Sequence, residues 1–224
     1  MIVKIKRQRS PMSEPYWQSF SYEGPAHVPI SAVLDAWNYT DDLFDIENNA
    51  AERIRWECGC MQAMCGGCAM VINGKPALAC ATFADEVRGG ELRLEPLSKF
   101  PVVADLIVDR GIIYENLLRA EAYLEERAAS DKRGHELRYS IAKCLKCGLC
   151  LEVCPNYHAG GDFFGALFAN ESYLLASQSA ENGARAVKKY KTHFAAGCSK
   201  ALSCAEVCPA KIETITSILR MNRK

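Results

Sequence analysis

The sequence carries no surplus of charge. Lys+Arg and Asp+Glu both number 27, so the formal net charge is zero. A nucleic-acid-binding chain shows a basic excess, and that class is set aside. Long apolar runs are missing too. A membrane span needs about 20 consecutive apolar residues. The most apolar segment, Val102-Val103-Ala104-Asp105-Leu106-Ile107-Val108-Asp109, is broken by two carboxylates. The chain is therefore not expected to cross a bilayer by itself. Met1 to Ser10 alternate apolar and charged residues, with no apolar h-region, no small-residue cleavage site and no twin-arginine pair. Such a segment does not read as a signal peptide, so the expected location is the cytosol, where thiols stay reduced. There is no P-loop and no dinucleotide fingerprint, and no Ser-His-Asp set stands out. Gly160-Gly161-Asp162-Phe163-Phe164-Gly165 is glycine-rich but reads as a turn and a helix packing site.

What the sequence does hold is cysteine, twelve in 224 residues. They fall into two groups, 58–80 and 144–208, separated by a cysteine-free stretch from 81 to 143. In a reducing compartment, dense cysteines at short fixed spacings mean metal or redox chemistry rather than disulfides.

The first hundred residues read as a small α+β domain. Ile2 to Lys6 alternates as a strand does, and the aromatic-rich Tyr16 to Tyr22 completes a hairpin closed by Glu23-Gly24-Pro25. Ser31 is placed to cap a helix over Ala32 to Asn38, with Val33, Leu34 and Trp37 as its buried stripe. Met70-Val71-Ile72, Asn73-Gly74 and Ala77-Leu78-Ala79 form a hairpin with a two-residue turn. Glu91 to Glu95 is a further strand ended by Pro96. After Pro101 the apolar spacing turns helical, over Val102 to Arg110 and Ile112 to Arg127. Glu121 to Arg133 is charge-rich and reads as a solvated helix face and turn. Residues 159–197 look like helices bridging two cysteine groups. The expected division is 1–100 and 101–224.

Cys60, Cys65, Cys68 and Cys80 stand as C-x4-C-x2-C-x11-C, the plant-type [2Fe–2S] ferredoxin spacing. A binuclear cluster needs two thiolates per iron. Three come from one loop, where Gly66 and Gly67 leave room for backbone N–H groups, and the fourth lies beyond the Asn73-Gly74 hairpin. Zinc also takes four cysteines but favours paired C-x2–4-C knuckles, and Cys80 has no knuckle partner. Cys58 and Cys60 share one loop. The x4 spacing selects Cys60 and leaves Cys58 as a nearby thiol outside the set.

Cys144, Cys147, Cys150 and Cys154-Pro155 form C-x2-C-x2-C-x3-C-P, the bacterial ferredoxin run. Adding 54 to each number reproduces it as Cys198, Ala201, Cys204 and Cys208-Pro209. Glu152-Val153-Cys154-Pro155 even recurs as Glu206-Val207-Cys208-Pro209. In two-cluster ferredoxins the fourth cysteine of each run ligates the other cluster. Cys144, Cys147 and Cys150 should then join Cys208 around a [4Fe–4S] cluster. Cys198 and Cys204 should join Cys154 around a site whose fourth corner is Ala201, a methyl group that holds no iron. That corner iron is either absent, giving [3Fe–4S], or labile. The fold class expected is α+β: an N-terminal plant-type [2Fe–2S] ferredoxin (β-grasp) domain, then an all-α bacterial-ferredoxin-like domain carrying two clusters.

A plant-type domain followed by a paired, one-cysteine-deficient ferredoxin domain resembles the iron–sulfur subunit of succinate dehydrogenase/fumarate reductase. Trp56 and the run Val102 to Asp109 resemble that family as well. The resemblance implies that the chain has no catalytic residues for the dicarboxylate reaction. It implies a partner flavoprotein holding FAD, where succinate and fumarate interconvert, a membrane-anchor subunit of the cytochrome b type, and quinone beside the three-iron cluster. The chain would sit peripherally on the cytoplasmic face of the cytoplasmic membrane, in the tricarboxylic acid cycle or anaerobic respiration. The quinone side departs from many members. No tryptophan follows Cys154-Pro155, and Ser199 stands where succinate oxidisers often have histidine. These departures fit a menaquinone-linked enzyme better than a ubiquinone-linked one. The alternative is a soluble three-cluster relay resembling thiol-linked fumarate reductase or heterodisulfide reductase. His158 reads as a solvent-facing loop residue.

Overall fold

The computed structural model describes residues 1–87, 90–128 and 133–224. The chain forms two compact units, Met1–Asp109 and Arg110–Lys224.

The first unit is built on a five-stranded mixed sheet. Strand β1 (Ile2–Arg7) pairs antiparallel with β2 (Tyr16–Ser21), from Ile2 opposite Ser21 to Arg7 opposite Tyr16. Helix α1 (Ile30–Asn38) and the short strands β3 (Leu43–Phe44) and β4 (Ala50–Ala51) follow. Then come β5 (Ala69–Ile72), β6 (Lys75–Leu78) and β7 (Glu91–Glu95). The sheet order is β2-β1-β7-β5-β6, with β1 and β7 parallel. Alternation explains β1: Val3 and Ile5 are fully buried while Lys4 and Lys6 are not. Ile30, Val33, Leu34 and Trp37 form the buried stripe of α1, and the Trp37 ring lies 5.3 Å from Phe20 of β2.

The α1 helix starts earlier than the sequence suggests. Pro29 is its N-cap and Ser31 is buried inside the first turn. The Ile30 N–H donates to the Thr82 carbonyl at 3.0 Å, so a loop partner satisfies a free helix-end donor and no side-chain cap is used.

The helical reading of Val102 to Arg110 is wrong. The segment is a hairpin, β8 (Val102–Ala104) and β9 (Ile107–Val108), turned at Asp105 with φ +47°. Its tie to the rest of the unit is a buried ion pair. Arg7 Nε lies 3.1 Å from Asp105 Oδ1, with both side chains at most 3% exposed. Asp105 also accepts from the backbone N–H groups of Gln8 and Arg55, both at 2.9 Å. Arg7 donates onward to Gln18 and to the carbonyls of Glu52 and Arg53. Removing either partner would leave an uncompensated buried charge, at a cost of about 3–5 kcal/mol. This clamp keeps the hairpin in the first unit, so the division falls at Asp109 rather than near residue 100.

The second unit is helical. It contains α2 (Gly111–Arg119), α3 (His135–Ala142), α4 (Leu149–Glu152), α5 (Gly165–Gln178), α6 (Glu181–Tyr190), α7 (Ser203–Glu206) and α8 (Thr214–Met221). A wide turn at Lys191–Ala195 extends α6. Helix α5 is buried on nearly all sides. Its Phe168, Ala169 and Tyr173 share a core with Ile141, Ala186, Tyr190 and Met221. A Cβ on Gly183 would come within 3.3 Å of the Ala176 backbone, so α6 packs closely on α5 and a side chain there would push the two helices apart by a few tenths of an ångström.

The α2 helix does not run to Arg127 as its apolar spacing predicts. It stops at Arg119 because Glu121 turns left-handed (φ +52°), and Ala122 N–H closes back onto the Leu117 carbonyl at 2.8 Å. Glu121 is held there by Lys189 at 3.0 Å and Arg185 at 3.5 Å. Residues 121–128 are not helical, and 129–132 of the charge-rich run lie outside the described residues. Among the described residues, no helix is long and apolar enough to cross a membrane.

Candidate metal centres

In the first unit the site begins with the β5–β6 hairpin. Ile72 pairs with Lys75 across Asn73-Gly74, whose φ values of +46° and +76° suit a tight two-residue turn. The same register sets Ala69 opposite Leu78. It brings Cys68, just before β5, and Cys80, just after β6, to a sulfur–sulfur distance of 3.3 Å.

The loop between Trp56 and Cys68 supplies the rest. Met61, Ala63 and Gly66 are left-handed, at φ +54°, +59° and +77°. Alternating handedness turns successive N–H groups to one side of a loop, making a concave site for negative charge. Gln62 and Met64 N–H donate to Cys60 Sγ at 3.3 and 3.1 Å, and Ala63 N–H donates to Cys80 Sγ at 3.2 Å. Gly67 N–H donates to Cys65 Sγ at 3.4 Å. The N–H groups of Gln62 and Met64 hold the Cys60 thiol down at about 7. Burial pushes Cys68 up to about 12. Gly66 is required by its backbone angle. A Cβ on Gly67 would meet no protein atom closer than 3.7 Å. Cys58 is exposed.

In the second unit the sequence repeat is also a backbone repeat. Lys146 and Gly148 are left-handed (φ +54° and +85°), and so are Lys200 and Leu202 (φ +60° and +63°), 54 residues on. Helices α4 and α7 begin and end in register. Their first-turn bonds match, Val153 N–H to the Leu149 carbonyl at 3.2 Å and Val207 N–H to the Ser203 carbonyl at 3.1 Å.

The repeat surrounds two cavities. Cys144, Cys147, Cys150 and Cys208 line a small one of about 30 Å³, which Cys204 also touches. Cys154, Cys198 and Cys204 line a larger one of about 160 Å³, with Ala201, Leu202, Ile215 and Leu219 in its apolar wall. Burial raises four of these thiols, Cys144, Cys150 and Cys204 above the ordinary value and Cys147 to about 11. Such thiols are poor sites for free charge. They suit iron, because a coordinating thiol is deprotonated by the metal itself. Among the described residues, no three His, Cys, Asp or Glu side chains converge closely enough for a single metal ion. The thiols instead ring a loop and two cavities, a donor set suited to multi-iron clusters. His158 is exposed, and His193 stacks on Phe164 at 4.1 Å.

Sequence reasoning passed over two charged pairs near these sites. Arg7–Asp105 was detectable, because Arg7 occupies an inward phase of β1 after Val3 and Ile5. Lys146–Glu171 joins a cysteine loop to α5 across 25 positions, and no local pattern marks it.

Residues 2–115 match the model of a 2Fe-2S iron-sulfur cluster binding domain, and residues 140–212 that of a 4Fe-4S dicluster domain. The succinate dehydrogenase iron-sulfur subunit of Bacillus subtilis is 28% identical, over 98% of this chain and 90% of that protein. The fumarate reductase iron-sulfur subunit of Haemophilus influenzae is 30% identical, over 84% of this chain and 79% of that one. A chain of the Mycobacterium smegmatis Sdh1 complex in the apo form has the same fold, with a TM-score of 0.75 at 19% identity, covering 99% of this chain and 93% of its own.

Proposed function

The chain belongs to the family of succinate dehydrogenase and fumarate reductase iron–sulfur subunits, and from that premise we propose that it relays electrons between a flavoprotein partner and membrane quinone. The observation that carries this reading is the arrangement of eleven cysteines as one ferredoxin loop and one crossed repeat. When bound, iron–sulfur clusters supply one-electron storage and transfer. Cys60, Cys65, Cys68 and Cys80 hold a [2Fe–2S] cluster, and the N–H groups of residues 62–64 and 67 stabilise its negative charge. Cys144, Cys147, Cys150 and Cys208 hold a [4Fe–4S] cluster. Cys154, Cys198 and Cys204 would hold a [3Fe–4S] cluster, since Ala201 offers no fourth thiolate in the cavity they share. Cys147 is buried and the other six second-unit thiols are partly buried, which limits the access of water to the sulfurs.

The dicarboxylate chemistry belongs to FAD in the flavoprotein partner. A cytochrome b-type anchor holds the chain on the cytoplasmic face of the membrane. Ser199 and the missing tryptophan after Pro155 favour menaquinone.

The test uses the native complex. Cys65→Ser should remove the binuclear signal in electron paramagnetic resonance and stop electron flow between succinate and quinone. Succinate oxidation by an artificial acceptor at the flavin should continue. Undiminished quinone reduction by that variant would refute the relay, as would succinate oxidation by the isolated chain.

A further inference from the structure

The repeat places a lysine at the same point in both of its halves. Lys146 and Lys200 each follow the first cysteine of their run by two residues, with nearly the same backbone angle. Their surroundings differ. The Lys146 side chain is 26% exposed and is ion-paired to Glu171 of α5, itself 17% exposed. Lys200 is exposed, with no ion-pair partner among the described residues. Lys146 stands between Cys144 and Cys147 in their loop, so the ion pair lies beside two of the four ligands. The other cation at this cavity is Arg110, whose guanidinium reaches the Cys147 carbonyl at 3.4 Å.

We propose that the Lys146–Glu171 pair sets the reduction potential of the centre held by Cys144, Cys147, Cys150 and Cys208, with Glu171 cancelling a charge that would otherwise make that centre easier to reduce. The proposal rests on the ligand set given above. Reduction there adds one electron and one negative charge, with no bond made or broken. An ammonium nearby stabilises the added charge and a carboxylate opposes it. In a half-buried site neither is screened as a surface ion is. Arg110 stays constant across the comparison. The unpartnered Lys200 marks what the repeat looks like where no carboxylate has been added.

A potentiometric titration of the native complex, followed by paramagnetic resonance, tests this directly. The three-iron signal is the reference within the same sample. Glu171→Gln should raise the four-iron potential and Lys146→Gln should lower it. Each shift should be on the order of tenfold in the reduction equilibrium, or ~59 mV for one electron. The double variant should return close to the parent, and Glu171→Asp should leave the potential in place. Lys200→Gln should not move the four-iron potential. Shifts of both single variants in one direction, or no shift relative to the three-iron reference, would overturn the proposal. So would loss of the four-iron signal in both single variants with its return in the double, because the pair would then serve folding alone. Failure of the ligand set itself shows separately, as absence of any four-iron signal from the unsubstituted complex.

Discussion

The two units differ in what surrounds most of their thiols. In the first, the loop from Cys60 to Cys68 is largely open to solvent, and backbone N–H groups turned inward by left-handed residues stabilise sulfur charge. In the second, the thiols line apolar cavities under α5 and α8, and burial disfavours charge at Cys144, Cys147, Cys150 and Cys204. The first arrangement suits a thiolate at Cys60 before any metal arrives, while burial raises Cys68 beside it. The second suits thiols until iron displaces their protons. The same ligand atom is therefore prepared by hydrogen bonding in one place and by exclusion of water in the other.

The largest expected effects separate the units outright. Cys150→Ser should remove the four-iron signal, because the three remaining thiolates hold at most a three-iron cluster, and should lower the iron content by about one per chain or more. Cys65→Ser should remove only the binuclear signal. Loss of all three signals from either variant would show that the units do not load independently. Next comes the empty corner. Ala201→Cys should replace the three-iron signal of oxidised protein with four-iron behaviour, and persistence of the three-iron signal would contradict the repeat register.

A pH experiment on the iron-free chain sharpens the contrast. Cys60 lies at about 7 against an ordinary 9.0, so its thiolate contributes stability that is complete above pH 9 and is lost as pH falls through 7. Cys147 is pushed to about 11, so its neutral thiol contributes stability that is complete below pH 9 and is lost as pH rises through 11. Alkylation should therefore reach half its maximal rate near pH 7 at Cys60 and remain slow at Cys147 through pH 9. A shared midpoint near 9 would erase the distinction.

The smallest effect lies within the repeat. Gly148 and its counterpart Leu202 share a left-handed backbone, but only the first is glycine. Gly148→Leu should cost roughly 1–2 kcal/mol in chemical denaturation, while Leu202→Gly should be neutral or mildly stabilising. A loss of stability in Leu202→Gly would mean that the packing of Leu202 outweighs its backbone strain.

Much of this was legible from local pattern. Alternation marks β1, Asn73-Gly74 marks the β5–β6 turn, and the shift of 54 marks the repeated loops, because each is a short-range signal. The hairpin at 102–108 was not, since a short apolar run fits a buried strand and a buried helix equally well. The end of α2 was hidden because Glu121, not glycine, takes the left-handed position, under the pull of Lys189 and Arg185 some 60–70 positions away. Cysteine spacing named the thiols around each cavity. The charges beside them, Arg110 and the Lys146–Glu171 pair, arrive through tertiary contacts that spacing does not encode.

One measurement bears on all of this at once: metal and sulfide content with low-temperature paramagnetic resonance of anaerobically purified complex. The account predicts about nine irons on this chain, divided among binuclear, four-iron and three-iron signals. Colourless material holding zinc, or a chain with no three-iron signal, would contradict it.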